Sequence, residues 1–115
     1  MTESLRDQLA ALTLELIRIE SVTGDEKAIA DFVESWLMKR VGEPHCKRAG
    51  NSIIVSPPDN GLPTIGFFGH LDTVPGREDN PPRMDEHTLY GTGASDMKGA
   101  LAVKMLLAAN LVPQS

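Results

Sequence analysis

The sequence predicts a mixed α/β chain, with helices first, then short strands, then a strand–loop–helix unit. Three observations carry that expectation. Leu5, Leu9, Leu12, Leu16 and Ile19 recur at alternating steps of four and three, which is the spacing of one helical stripe. After Pro44 the helical period gives way to short β-branched runs punctuated by Gly and Pro. An apolar run at 64–69 then leads through a polar, proline-rich stretch to a second, strongly apolar helical segment.

Taken in order, the first stripe predicts a helix over about 3–20. The stretch "TGDE" at 23–26 has a capping-box pattern, in which Thr23 caps a second helix and Glu26 reaches back from its third position. Ile29, Phe32, Val33, Trp36 and Leu37 form the apolar face of that helix, which should end near Arg40, before Gly42 and Pro44. Both helices read as packing elements. "PHCKRAGNSIIVSPP" reads as two short strands joined at Gly50-Asn51, with Ile53, Ile54 and Val55 as their buried part. "DNGLP" is a loop. "TIGFFG" at 64–69 has the compact apolar character of a strand buried on both faces; whether it pairs in parallel is left open by the pattern. "HLDTVPGREDNPPRMDEHT" predicts a long irregular loop, and "LYGTG" a short strand running into a turn. "MKGALAVKMLLAANL" predicts a last helix ending near Asn110, with Met97, Leu101, Met105 and Ala108 on one face.

Composition narrows the function. At 115 residues the chain is one domain at most, and its 41% hydrophobic content suits a soluble globular protein. No apolar stretch has the length of a membrane span, and "MTESLRDQLA" lacks the apolar core of an export signal. Cys46 is the single cysteine, so no internal disulfide forms and a reducing cytoplasmic compartment is expected. A net charge of −5 with scattered basic residues argues against a nucleic-acid surface.

Chemistry concentrates in "FFGHLDTVPG" and "YGTGASDMKG". His70 and Asp72 follow the end of a predicted strand, the place where α/β sheets gather ligands. In extended backbone, residues two apart project to the same side, so Asp72 can accept one imidazole N–H of His70 while the other nitrogen faces a metal. Asp96 lies where the glycine turn meets the last helix, and its carboxylate can hold one metal or bridge two. Gly91 and Gly93 allow positive φ and a close approach to the His70 loop. One imidazole with carboxylates suits Zn²⁺, Co²⁺ or Mn²⁺ better than Ca²⁺ or Mg²⁺. Each piece also has an ordinary alternative: a chance His-x-Asp, and a helix N-cap at Asp96. "GTGASD" places Asp96 where a nucleotide-binding glycine would stand and lacks a Gly-Lys-Ser/Thr ending, so a phosphate cradle is not expected. His45 beside Cys46 resembles a metal pair, but strand neighbours face opposite ways; His87 reads as a solvated loop residue.

Taken together, "GHLDTVP" and "LYGTGASDMKGALA" resemble the paired motifs of the M20 metallopeptidase family, the dinuclear zinc aminoacylases and deacylases. The opening "LTLELIRIESVTGDEKAIADFVESWL" is similar to the start of those enzymes. The resemblance implies the N-terminal part of a zinc-peptidase-like α/β/α sandwich: residues 1–115 as a partial catalytic domain, with the lid or dimerisation domain absent. It also implies that His70 is a ligand of one metal and Asp96 the carboxylate bridging both. Asp72, the implied catalytic residue, would orient the His70 imidazole. The implied cofactor is two zinc ions per complete site, with cobalt as a substitute. The implied substrate is a small N-acyl amino acid, with no nucleic-acid or membrane partner. Within the family, the short loop between the motifs most resembles the succinyl-diaminopimelate desuccinylases of lysine and diaminopimelate biosynthesis, with acetylornithine deacetylases and other aminoacylases or carboxypeptidases as alternatives. The family's catalytic glutamate and remaining ligands belong to later segments, so the chain alone is expected to be inactive. A different expectation is a non-catalytic module that self-associates as a homo-oligomer through an unpaired sheet edge.

Overall fold

The computed structural model describes residues 3–112. Its elements, in chain order, are α1 (Leu5–Arg18), α2 (Lys27–Val41), β1 (Cys46–Ala49), β2 (Ser52–Val55), β3 (Arg83–Met84), β4 (Leu89–Tyr90) and α3 (Gly99–Leu111). A single 3-10 turn, Glu43–His45, links α2 to β1, and a π-type turn, Ala94–Lys98, leads into α3. The fold is therefore mixed α/β, with three helices and two small antiparallel sheets.

The helices form where the apolar stripes predict them. Ser4 caps α1 by accepting from the Asp7 N–H at 3.1 Å, so that helix starts two residues later than the stripe alone suggests. Leu12 and Leu16 of α1, Ile29, Val33, Leu37 and Val41 of α2, and Leu101, Ala102 and Met105 of α3 close into one core, to which Cys46 and Val112 add. Each fully buried aliphatic side chain of this kind contributes about 1.5–3 kcal/mol. Leu101 and Met105 face the core as expected and Ala108 is half-buried at its margin, but Met97, expected on the same helical face, precedes α3 with non-helical φ and ψ.

The hairpin β1–β2 turns at Gly50-Asn51 as predicted, pairing Cys46 with Val55 and Ala49 with Ser52. Gly50 has φ of 60°, the left-handed conformation that such a turn requires. Arg48 ties the hairpin to α2 through Asp31 and through Glu34 Oε1 at 3.0 Å. These bonds raise the Arg48 pKa, and the Lys27 and Arg48 cations hold the Asp31 carboxyl below its ordinary range. The burial expected for this strand holds only in part. Ile53 and Val55 pack on the core, but alternation turns Ile54 outward, leaving it about half exposed.

Two further expectations are overturned. The run at 64–69 is not a strand: it makes no ladder, and Ile65, Phe67 and Phe68 are 80%, 67% and 89% exposed. An apolar run becomes a buried strand only when neighbours supply hydrogen bonds and cover, and among the described residues none flanks it. Among the described residues, parallel pairing is limited to one isolated bridge further on, between Val22 and Thr73. The predicted capping box is also not made. The residue preceding α2 is Glu26, with no side-chain cap, and its Oε1 instead accepts from the Gly24 N–H. Finally, the proline-rich loop contains an unpredicted strand, β3, which pairs Arg83 with Tyr90 and Met84 with Leu89 of β4.

Candidate metal centre

Three segments meet at the site: the connection between α1 and α2, the His70–Thr73 stretch, and the turn into α3. The first two run side by side. The Thr73 N–H donates to the Ser21 carbonyl at 2.8 Å, and the Thr23 N–H donates to the Thr73 carbonyl at 3.1 Å. Fully buried Ser21 donates its hydroxyl to the Leu71 carbonyl at 2.8 Å. The third segment approaches through glycine. Gly93 has φ of 83°, and a Cβ there would collide with the Thr73 side chain. Gly91 has φ of 144°, and a Cβ there would collide with Ile17. The close approach to the His70 loop expected of both glycines is thus present at Gly93, whereas Gly91 lies close to α1 instead.

This packing brings together the three singled-out residues. His70 is anchored by its backbone N–H, which donates to Met97 Sδ at 3.3 Å. Its Nδ1 lies 3.0 Å from the Asp72 carbonyl and 3.2 Å from Asp72 Oδ1. Its Nε2 lies 2.9 Å from Asp96 Oδ1, across 26 positions of sequence. Both ring nitrogens thus face oxygen acceptors. The Asp72 carbonyl and then the Asp96 carboxylate raise the His70 pKa above its ordinary value. The Asp72 carboxyl is held below the ordinary range, chiefly by the Thr23 hydroxyl, which donates to Oδ2. The Asp96 side chain is 87% exposed and open to a ligand from solvent.

Asp96 does not cap α3. Its φ and ψ of −133° and 90° are not helical, and the residue preceding α3 is Lys98. The carboxylate therefore serves no N-terminal amide and points instead to His70.

His70 and Asp96 offer one nitrogen and one oxygen donor at 2.9 Å, a separation two atoms can have when each lies about 2.0–2.2 Å from one shared zinc ion. The donor set therefore fits a borderline cation in type. It falls short in number, because among the described residues no group of three or more His, Cys, Asp or Glu side chains is assembled to hold a metal. The remaining candidates lie elsewhere. His45 and Cys46 are both buried, and burial pushes the Cys46 thiol up. His87 is exposed beside Glu86.

The sequence reading did not assign site contacts to Ser21, Thr23 or Lys98. Lys98 is 2% exposed, and its Nζ donates to the Ile19 carbonyl at 2.6 Å; burial lowers its pKa. With Glu20, Thr73 and Thr92 it lines a hollow of about 350 Å³ that excludes His70, Asp72 and Asp96. The signal that could have found Thr23 is "SVTGDE", a polar stretch whose Ser and Thr had more than one backbone or side chain to serve.

The site thus presents a His–Asp pair just beyond an exposed apolar run in a mixed α/β chain. Comparison with known proteins gives a family match: residues 66–115 agree with the model of peptidase family M20/M25/M40. The chain is 41% identical over 97 residues to an Aeropyrum pernix protein named for LysW-lysine/LysW-ornithine hydrolysis, covering 84% of this chain and 27% of that protein. It is 36% identical over 105 residues to the LysW-lysine hydrolase of Deinococcus radiodurans, covering 90% of this chain and 28% of that one. It is 35% identical over 94 residues to the succinyl-diaminopimelate desuccinylase of Corynebacterium glutamicum, covering 80% and 25%. The chain thus spans little more than a quarter of the length of these curated relatives. Among the described residues, no helix is long and apolar enough to cross a membrane.

Proposed function

We propose that this chain supplies two donors, His70 and Asp96, to the cation site of an M20-type amide hydrolase acting on an N-acylated diamino acid. The observation that carries this is the 2.9 Å approach of His70 Nε2 to Asp96 Oδ1, with Nδ1 engaged by Asp72. The donor types favour zinc, with cobalt as a substitute. A cation bound there supplies Lewis acidity for attack on an amide carbonyl.

The chain's own residues do the rest by orientation. Asp72 accepts from Nδ1, so the ring cannot turn and Nε2 stays directed at Asp96. To hold a cation, His70 would have to present Nε2 without its proton, so binding should strengthen as pH rises through the raised His70 pKa. Two donors are fewer than the three a catalytic zinc ordinarily takes, so the chain alone binds weakly and does not hydrolyse amides above background.

Support for the substrate class comes from the relatives' names. The names LysW-lysine, LysW-ornithine and succinyl-diaminopimelate each join a further group to a diamino acid, and succinyl is an acyl group. The succinyl compound is the sequence-based preference within that class. Calorimetric titration with Zn²⁺ tests the site. The unmodified chain should bind, and His70→Ala or Asp96→Ala should lose at least about ten-fold in affinity. Equal binding by all three proteins would place the ion elsewhere and end this reading.

The exposed run at 64–68 favours a second reading alongside it, self-association with another copy of the chain. Sedimentation at micromolar concentration should show dimers or larger species. A clean monomer would exclude that reading.

A further inference from the structure

We propose that Thr23, on the connection between α1 and α2, is a positioning residue for the cation site, acting through Asp72. This inference rests on the reading of His70 and Asp96 as cation ligands. A carboxylate that must orient an imidazole has to present one chosen oxygen, yet the terminal torsion of aspartate is broad and nearly two-fold. The structure removes that freedom by dividing the two oxygens. Oδ2 accepts from the Thr23 hydroxyl, and Oδ1 faces His70 Nδ1 at 3.2 Å.

Thr23 is itself fixed in place. Its N–H donates to the Thr73 carbonyl at 3.1 Å, beside the Val22–Thr73 bridge, so the Thr23 and Asp72 backbones are held side by side. Gly24 follows at φ of 96°, with its N–H taken by Glu26, which turns the chain away toward α2. The residues that looked like a helix cap therefore do not cap α2. Contact runs from Thr23 to the Asp72 carboxylate, from its Oδ1 to His70 Nδ1 beside the Asp72 carbonyl, and from Nε2 to Asp96, linking positions 49 apart at its first step. Thr23 is exposed, so replacing it does not open the core.

The test uses the whole chain with Co²⁺ as the probe. Thr23→Val keeps the branched shape and removes the hydroxyl, whereas Thr23→Ser keeps the hydroxyl and removes the methyl. Calorimetric affinity and the visible Co²⁺ spectrum are recorded for both, for the unmodified chain and for His70→Ala, with the urea midpoint measured alongside. Thr23→Val should weaken Co²⁺ binding about 10–100-fold with little change in midpoint, and Thr23→Ser should restore both affinity and spectrum. Unmodified and Thr23→Val chains binding equally, with His70→Ala impaired, would overturn the role of Thr23 and leave the ligand reading standing. A loss in Thr23→Val that Thr23→Ser fails to rescue would also overturn it, since packing and not the hydroxyl would be responsible. No difference between His70→Ala and the unmodified chain would remove the ligand reading itself, and this inference with it.

Discussion

The helical layer and the segment leading to the site both carry large apolar side chains but hold them differently. In the layer of α1, α2 and α3, Leu16, Ile29 and Val41 are fully buried, and the hairpin β1–β2 lies against α2. From residue 56 to 70 every residue is exposed, including Phe67 and Phe68. Apolar character alone does not bury a segment; helices that close on one another can do so, and an extended run without flanking strands cannot. The site sits at the seam between these regions. It is held chiefly by polar contacts to the α1–α2 connection, through Ser21 and Thr23, and by the glycine turn before α3. The rigid half thus lends its order to the exposed half through a few hydrogen bonds.

The contrast should break most visibly in the core. Leu16→Ala should cost about 2–5 kcal/mol in urea unfolding, because a wholly buried side chain leaves a cavity that the three helices cannot fully close. A loss below about 1 kcal/mol would mean that the layer is far looser than its burial implies. At the seam, Ser21→Ala should cost about 1–3 kcal/mol by leaving the half-buried Leu71 carbonyl without its donor. Hydrogen exchange should quicken at the Thr73 amide more than at amides within α2.

A smaller effect, in the acid range, belongs to the β3–β4 hairpin. The His87 N–H, then the Tyr90 hydroxyl and the Thr88 N–H, hold the Asp85 carboxyl below its ordinary value of 3.8. A folded-state pKa below the unfolded one contributes stability that is present above that value and lost as pH falls through the lowered one. Hairpin amide shifts followed on acidification should therefore persist below pH 3.8 and then collapse. Asp85→Asn should abolish that step. The smallest effect is expected at Phe68. Phe68→Ser should alter monomer stability by no more than about 0.5 kcal/mol, since little is buried there, while lowering any self-association seen by sedimentation.

What the sequence disclosed follows the same division. The three helices and the β1–β2 hairpin were legible because their periods and the Gly50-Asn51 turn are local properties. The run at 64–69 was misread because burial depends on neighbours, which no pattern within "TIGFFG" can report. Arg83–Met84 escaped notice because two residues carry no period. Thr23 fitted a helix cap by spacing, yet its hydroxyl serves Asp72, a partner 49 positions away. The approach of His70 and Asp96 could be anticipated only by taking two motifs together, with Gly91 and Gly93 signalling how closely the chain would fold back.

The central claim is that His70 and Asp96 share one cation, and paramagnetic mapping tests it most directly. Sub-stoichiometric Co²⁺ added to isotope-labelled chain should shift or broaden resonances in a sphere centred between the His70 ring and the Asp96 carboxylate. The buried His45–Cys46 pair should be left unperturbed. Broadening centred on His45 and Cys46, or spread evenly over the acidic surface, would contradict the account.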